Sequence, residues 1–110
     1  MSENLVEAQI AKWMQARGFR RQRNHIGVFK PAHGGAPITI GKKGWPDFTY
    51  FRTVSPGLVQ VAHVEVKSPG KKPRQEQAEA IASLNHIGEP AWYADSIEMH
   101  EANYSAYFTD

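Results

Sequence analysis

The chain has no cysteine. Disulfides and thiolate metal sites are therefore excluded, and the fold must be held by its packed core. With 110 residues, the expectation is a single domain spanning 1–110. No apolar run approaches the roughly 18 residues of a membrane span. The opening MSENLVEAQI is acidic and amphipathic, not basic and then apolar, so it does not read as a signal peptide. A reducing, intracellular (cytoplasmic) setting fits these absences. Two further absences concern charge. Between residues 8 and 46 there are eight basic residues, Lys30 among them, and no acid. After Arg74 there are seven acids and no Lys or Arg. The formal net charge of +2 averages over that split. One reading is a basic face for a polyanion. The other is a solvated surface whose signs even out in three dimensions. The five histidines, His25 included, have no close paired spacing, which argues against zinc. GGAP and GKKG lack a phosphate-loop pattern.

What is present divides into clear segments. ENLVEAQIAKWMQARG predicts a helix, with Val6, Ile10, Trp13 and Met14 on one face and Gly18 as its stop. GVFK and PITI are short strands separated by the loop PAHGGA. GKKGWP is a second, basic loop. DFTYFR and LVQVAHVEVK are rich in β-branched and aromatic residues and predict a hairpin divided by TVSPG. RQEQAEAIASLNHIG predicts a second helix, with Pro73 near its start and Gly88 after its end. PAWYA is a last strand, followed by a helix from about Ile97. The order α-β-β-β-β-α-β, with that C-terminal helix, predicts an α/β sandwich around a mixed sheet.

Strand alternation places Glu65 and Lys67 on one face and Val64 and Val66 on the other. A carboxylate and an ammonium on one face of a central strand are costly if buried without use. On a solvated face they make an ordinary ion pair. Asp47 begins the neighbouring strand, so hairpin pairing can bring it close to Glu65. Two adjacent carboxylates repel, and a hard divalent cation relieves the repulsion. Gln77 falls in the middle of the apolar arc of its helix, near Ile81 and Leu84, where a plain core would carry leucine. A buried amide needs partners, supplied either by a site at the end of the Glu65 strand or by backbone. Glu3 and Glu7 both flank the apolar stripe of the first helix, within reach of a metal. An exposed first-turn acid suits Glu3 through the helix dipole, and suits Glu7 less, a full turn further in.

Taken in order, Pro46-Asp47 and Glu65-Val66-Lys67 resemble the PD-(D/E)xK nuclease superfamily. More closely, the chain is similar to small phage-type VRR-NUC (virus-type replication-repair nuclease) domains. The motifs that carry the resemblance are G-x-P-D at 44–47, EVKSPGKKPRQEQ at 65–77, and the amphipathic helix closed by Gly18. The long second string is far more specific than a lone PD or ExK. The resemblance implies a restriction-endonuclease-like core, a mixed β-sheet flanked by helices. It implies a Mg²⁺- or Mn²⁺-dependent DNA endonuclease that hydrolyses phosphodiester bonds. Asp47 and Glu65 would be metal ligands, joined by the backbone carbonyl of Val66. Lys67 would position or activate the attacking water and offset charge on the phosphate. Gln77 matches the glutamine that such domains place at the site. Glu7 matches the helix glutamate by its distance to Gly18, with Glu3 as the alternative. Single-domain members resemble junction resolvases and act as two-fold dimers. The implied assembly is thus a homodimer on Holliday-junction or branched DNA, in a phage-encoded setting. A restriction- or repair-type nuclease on other DNA stays open, as does a non-catalytic nucleic-acid-binding module with this fold. Two departures stand out. Trp45 replaces a usually small aliphatic residue, and the insert at 24–41 is longer than in the shortest members.

Around the expected site, Lys42, Lys43, Lys71 and Lys72 flank its strands as candidate phosphate contacts. Trp45, in the loop before Asp47, is a candidate stacking platform for DNA. His63 shares the face of Glu65 by alternation, which would put it beside the site or its DNA.

Overall fold

A computed structural model describes residues 1–24, 27–29 and 31–109, with the segments 27–29 and 38–40 described through their backbone. Lys30 of the basic run and His25 lie outside the described residues. Helix α1 (Glu3–Gln15) starts at Ser2, whose hydroxyl accepts from Leu5 N at 3.2 Å. Val6, Ile10 and Met14 recur along it at helical spacing and are fully buried. Five strands follow: β1 (Arg20–Arg23), β2 (Gly27–Phe29), β3 (Ile38–Ile40), β4 (Phe48–Ser55) and β5 (Leu58–Val66). Helix α2 (Gln75–His86), strand β6 (Ala91–Ala94) and helix α3 (Ile97–Tyr107) complete the chain.

The main sheet has the order β1-β4-β5-β6. The β1–β4 and β4–β5 pairs are antiparallel, and β6 runs parallel to β5 after the α2 crossover. The sheet is therefore mixed and flanked by helices, as the segment order predicted. Alternation decides its two faces. Phe48, Tyr50, Ala62, Val64 and Val66 form a core with α1, Trp92, Tyr104 and Phe108. The intervening positions, Thr49, His63 and Glu65, are buried polar groups on the opposite face.

Three details differ from the sequence reading. Strand β1 was not expected: RRQR has no apolar alternation, and all four residues are exposed. It forms because its backbone pairs with the free edge of β4, Arg20 opposite Phe51 and Arg23 opposite Phe48. A charged strand also suits an edge, since it discourages pairing with another chain. Second, residues 53–55 belong to β4, and only Pro56 and Gly57 make the turn. Third, β2 and β3 do pair, but in a separate two-stranded ribbon. Among the described residues no helix is long and apolar enough to cross a membrane.

The core contains a histidine whose pKa is strongly shifted. His100 is 0% exposed, accepts from Trp92 Nε1 at Nδ1 (3.2 Å), and meets the edge of Trp13 at 5.1 Å. Burial pushes its pKa down to about 4, and the Arg17 charge acts in the same direction. The unfolded chain takes up this proton near 6.5 and the folded chain only near 4. The stabilisation is therefore complete above about pH 6.5 and is lost as pH falls toward 4. We expect His100→Gln to remove about 3 kcal/mol of the acid dependence of stability across that window. Urea unfolding at pH 7 and pH 4.5 measures it. An unchanged pH slope in the variant would contradict this assignment.

Candidate active site

The register of the β4–β5 hairpin builds the site. Phe48 pairs with Val64, so the next positions, Asp47 and Glu65, face each other at one end of the sheet. Asp47 Oδ2 accepts from Val66 N at 3.1 Å, which fixes its carboxylate against β5. Asn24 holds the same stretch from the β1 side. Its backbone N–H donates to the Asp47 carbonyl at 2.8 Å. Its side-chain amide donates to the Pro46 carbonyl and to Thr49 Oγ1, both at 3.0 Å.

Glu65 is 3% exposed. Its Oε2 accepts from Gln77 Nε2 at 3.1 Å and lies 3.6 Å from Lys67 Nζ. Its Oε1 is buried with no hydrogen-bond partner among the described residues. Burial raises its pKa to about 7, the Asp47 charge adds to the rise, and Lys67 opposes it. The cost of ionising Glu65 is therefore absent below its ordinary 4.5 and full above about pH 7. In EDTA, Glu65→Gln is expected to gain about 3 kcal/mol of stability at pH 8 relative to pH 4.5, compared with the unsubstituted chain. Paired denaturant titrations at the two pH values read this out. Equal differences at both would refute it.

Gln77 joins both roles foreseen for it. It is buried on α2, its Nε2 reaches Glu65, and its Oε1 accepts from Arg74 N at 2.8 Å as part of the helix cap. Gly44 brings the loop before Asp47 against this same helix start. Its φ is +84°, and a Cβ there would collide with the Glu76 carbonyl oxygen. The Asp47 loop and the Gln77 helix are thus in backbone contact.

Other expected residues lie elsewhere. Glu7 does not join Asp47 and Glu65 as a third carboxylate. Its oxygens accept from Arg23 Nη2 at 3.2 and 3.3 Å, and Arg21 Nη1 lies 3.6 Å away. The cause is β1, which sets both guanidinium groups in front of α1. Glu3 is exposed in the first turn. Among the described residues no three His, Cys, Asp or Glu side chains gather as a metal-holding group. At Val66 it is the N–H that meets the Asp47 carboxylate. Lys42 and Lys43 are exposed beside Glu76 and Glu79 of α2. Lys71 and Lys72 are exposed on a loop tied down by Asp95, whose Oδ2 accepts from Gly70 N at 3.0 Å. Trp45 is half-buried, with the His63 ring at 5.7 Å and Lys42 Nζ at 6.0 Å.

His63 does share the face of Glu65, but it is 5% exposed. Its Nδ1 is 3.0 Å from Thr49 Oγ1 and its Nε2 is 2.8 Å from Glu89. It braces the strands and does not face outward. Asn24 and this Thr49–His63–Glu89 chain were missed in the sequence because no local pattern marks a side chain whose partners lie on other strands.

Chemically, the site offers two adjacent carboxylates, one of them buried with an unpartnered oxygen, and an ammonium beside them. These are hard oxygen donors of the kind Mg²⁺ and Mn²⁺ take. The orphaned Glu65 Oε1 and the raised pKa fit a group completed by a cation. No protein-family model and no curated protein matches the chain.

Proposed function

We propose that the chain is a divalent-metal-dependent DNA endonuclease with a PD-(D/E)xK core of the VRR-NUC type. The observation that carries this reading is the buried Glu65, placed across the hairpin from Asp47 and bonded to Gln77, with Lys67 two residues on. The motif resemblance at 44–47 and 65–77 supports the same set of residues. Asp47 and Glu65 would hold Mg²⁺ or Mn²⁺, with the Val66 carbonyl as a further donor. When bound, the ion supplies Lewis-acid charge for phosphodiester hydrolysis. Gln77 keeps the Glu65 carboxylate in one orientation, and Asn24 fixes the backbone on either side of the Asp47 peptide. Lys67 places positive charge where the phosphate develops negative charge, and its ammonium can orient the attacking water. Glu7, the expected helix carboxylate, is paired with arginines in this structure. It organises Arg21 and Arg23.

The proposed substrate is branched or Holliday-junction DNA, cut by a homodimer whose two sites address two strands symmetrically. The test is direct. With Mn²⁺, the purified protein should cut a four-way junction in preference to linear duplex, and EDTA should stop it. Equal cutting of both substrates would remove the junction preference and leave the nuclease. DNA binding without cutting in either metal would overturn the enzyme and favour a binding module.

A further inference from the structure

The seam between the end of α1 and the start of β1 contains a hollow bordered by Ala11, Gln15, Phe19, Arg20, Arg21 and Tyr50. Tyr50 is 1% exposed, and its phenol oxygen is buried with no hydrogen-bond partner among the described residues. A buried hydroxyl in that state is unfavourable, because its proton lost water and gained no acceptor in exchange. Burial pushes its pKa up to about 12, against the nearby Arg21 charge, so the phenol keeps its proton. What the hydroxyl lacks above all is an acceptor for that proton. The neighbouring guanidinium groups are also donors only. Arg21 is held in place without being used up. One of its nitrogens lies 3.6 Å from Glu7, and its guanidinium sits 4.5 Å from the Phe48 ring centre. Arg20 is exposed at the rim. Glu7 is the carboxylate at this place, and Arg23, at 3.2 Å, shares it. Two guanidinium groups, Arg21 and Arg23, therefore share one acid.

We infer that this hollow is a binding site for a phosphate-type oxyanion, whose oxygens accept from the Tyr50 hydroxyl and the Arg21 guanidinium, with Arg20 adding positive charge at the rim. An anion supplies several acceptor oxygens at once, which is what a set of converging donors needs. The hollow lies apart from the acid pair. Tyr50 is three residues along the chain from Asp47, ~10 Å of extended strand. The site extends the nuclease reading when a nucleic-acid phosphate fills it, and it stands without that reading when a free phosphate does.

The test follows the arginine side-chain N–H signals and the amides of β1 by NMR, in EDTA. Inorganic phosphate is titrated at constant ionic strength against chloride, and a short DNA duplex is titrated separately. Saturable shifts at Arg20 and Arg21 are expected with phosphate. Tyr50→Phe and Arg21→Gln should each weaken phosphate binding by ~10-fold, the effect of one hydrogen bond to a charged group. Glu7→Gln should tighten it. Shifts with the duplex as well would identify the source as a DNA backbone phosphate; shifts with phosphate alone would identify a small-anion site. No saturable shift with either probe would overturn the inference. So would equal affinity in Tyr50→Phe and the unsubstituted chain, with the Arg21→Gln variant deciding if Tyr50→Phe fails to fold. Cleavage plays no part in these measurements. A chain that binds phosphate here and never cuts DNA keeps this site and loses the nuclease reading.

Discussion

Asp47→Asn and Glu65→Gln are each expected to lower Mg²⁺-dependent DNA cleavage by ~10³-fold, about 4 kcal/mol of transition-state stabilisation. Both substitutions preserve size and remove the negative oxygen donor. Both leave hydrogen bonding intact, since an amide oxygen at 47 can still accept from Val66 N and one at 65 from Gln77. The fold should therefore survive, and Glu65→Gln should even be more stable at pH 8. Affinity for the same DNA in EDTA should stay within about twofold of the unsubstituted chain, because the change removes charge repulsion and no phosphate contact. This separation of cutting from binding is the diagnostic result. Cleavage that persists in both variants would remove the carboxylate pair from the chemistry. Cleavage lost together with the folded state would show only that the pair is structural, which circular dichroism of the same samples resolves.

Gly44→Ala should cost about 3 kcal/mol of stability or more. Two effects add. The residue has φ of +84°, where an L side chain loses about 1–2 kcal/mol. Its Cβ would also strike the Glu76 carbonyl oxygen, which is backbone and part of the first turn of α2. Relief requires moving the loop that carries Asp47 or unwinding the turn that carries Gln77, so activity should fall with stability. Gly57→Ala provides the comparison. Gly57 has φ of +80°, and a Cβ added there would meet nothing within 4 Å, so only the conformational cost applies. Urea unfolding of the two variants isolates the collision as their difference. Equal losses would mean that the approach of Gly44 to α2 is not tight in solution.

The pair at the centre of the site was legible in the chain because it follows from periodicities. A two-residue repeat puts Glu65 and Lys67 on one face, and a hairpin brings the start of β4 to the end of β5. Gln77 was legible for a related reason, as an amide on an apolar arc, and it is buried as that arc requires. Glu7 was not. Its position beside the apolar stripe of α1 is helical geometry, but the partner it finds is decided by Arg21 and Arg23. Those residues come to it only because RRQR, with no strand pattern of its own, completes the edge of β4.

The sequence by itself determined the helices, the β4–β5 hairpin and the acids at its end, since each depends on local spacing and turn residues. Tertiary structure alone decided the contacts between segments distant in the chain. It set Gly44 against α2, Asn24 on the Pro46 carbonyl, the arginines of β1 on Glu7, and the Tyr50 hydroxyl in a seam without an acceptor. The physical reason is that periodicity specifies which way a side chain points, whereas its partner depends on which element the packed core brings opposite.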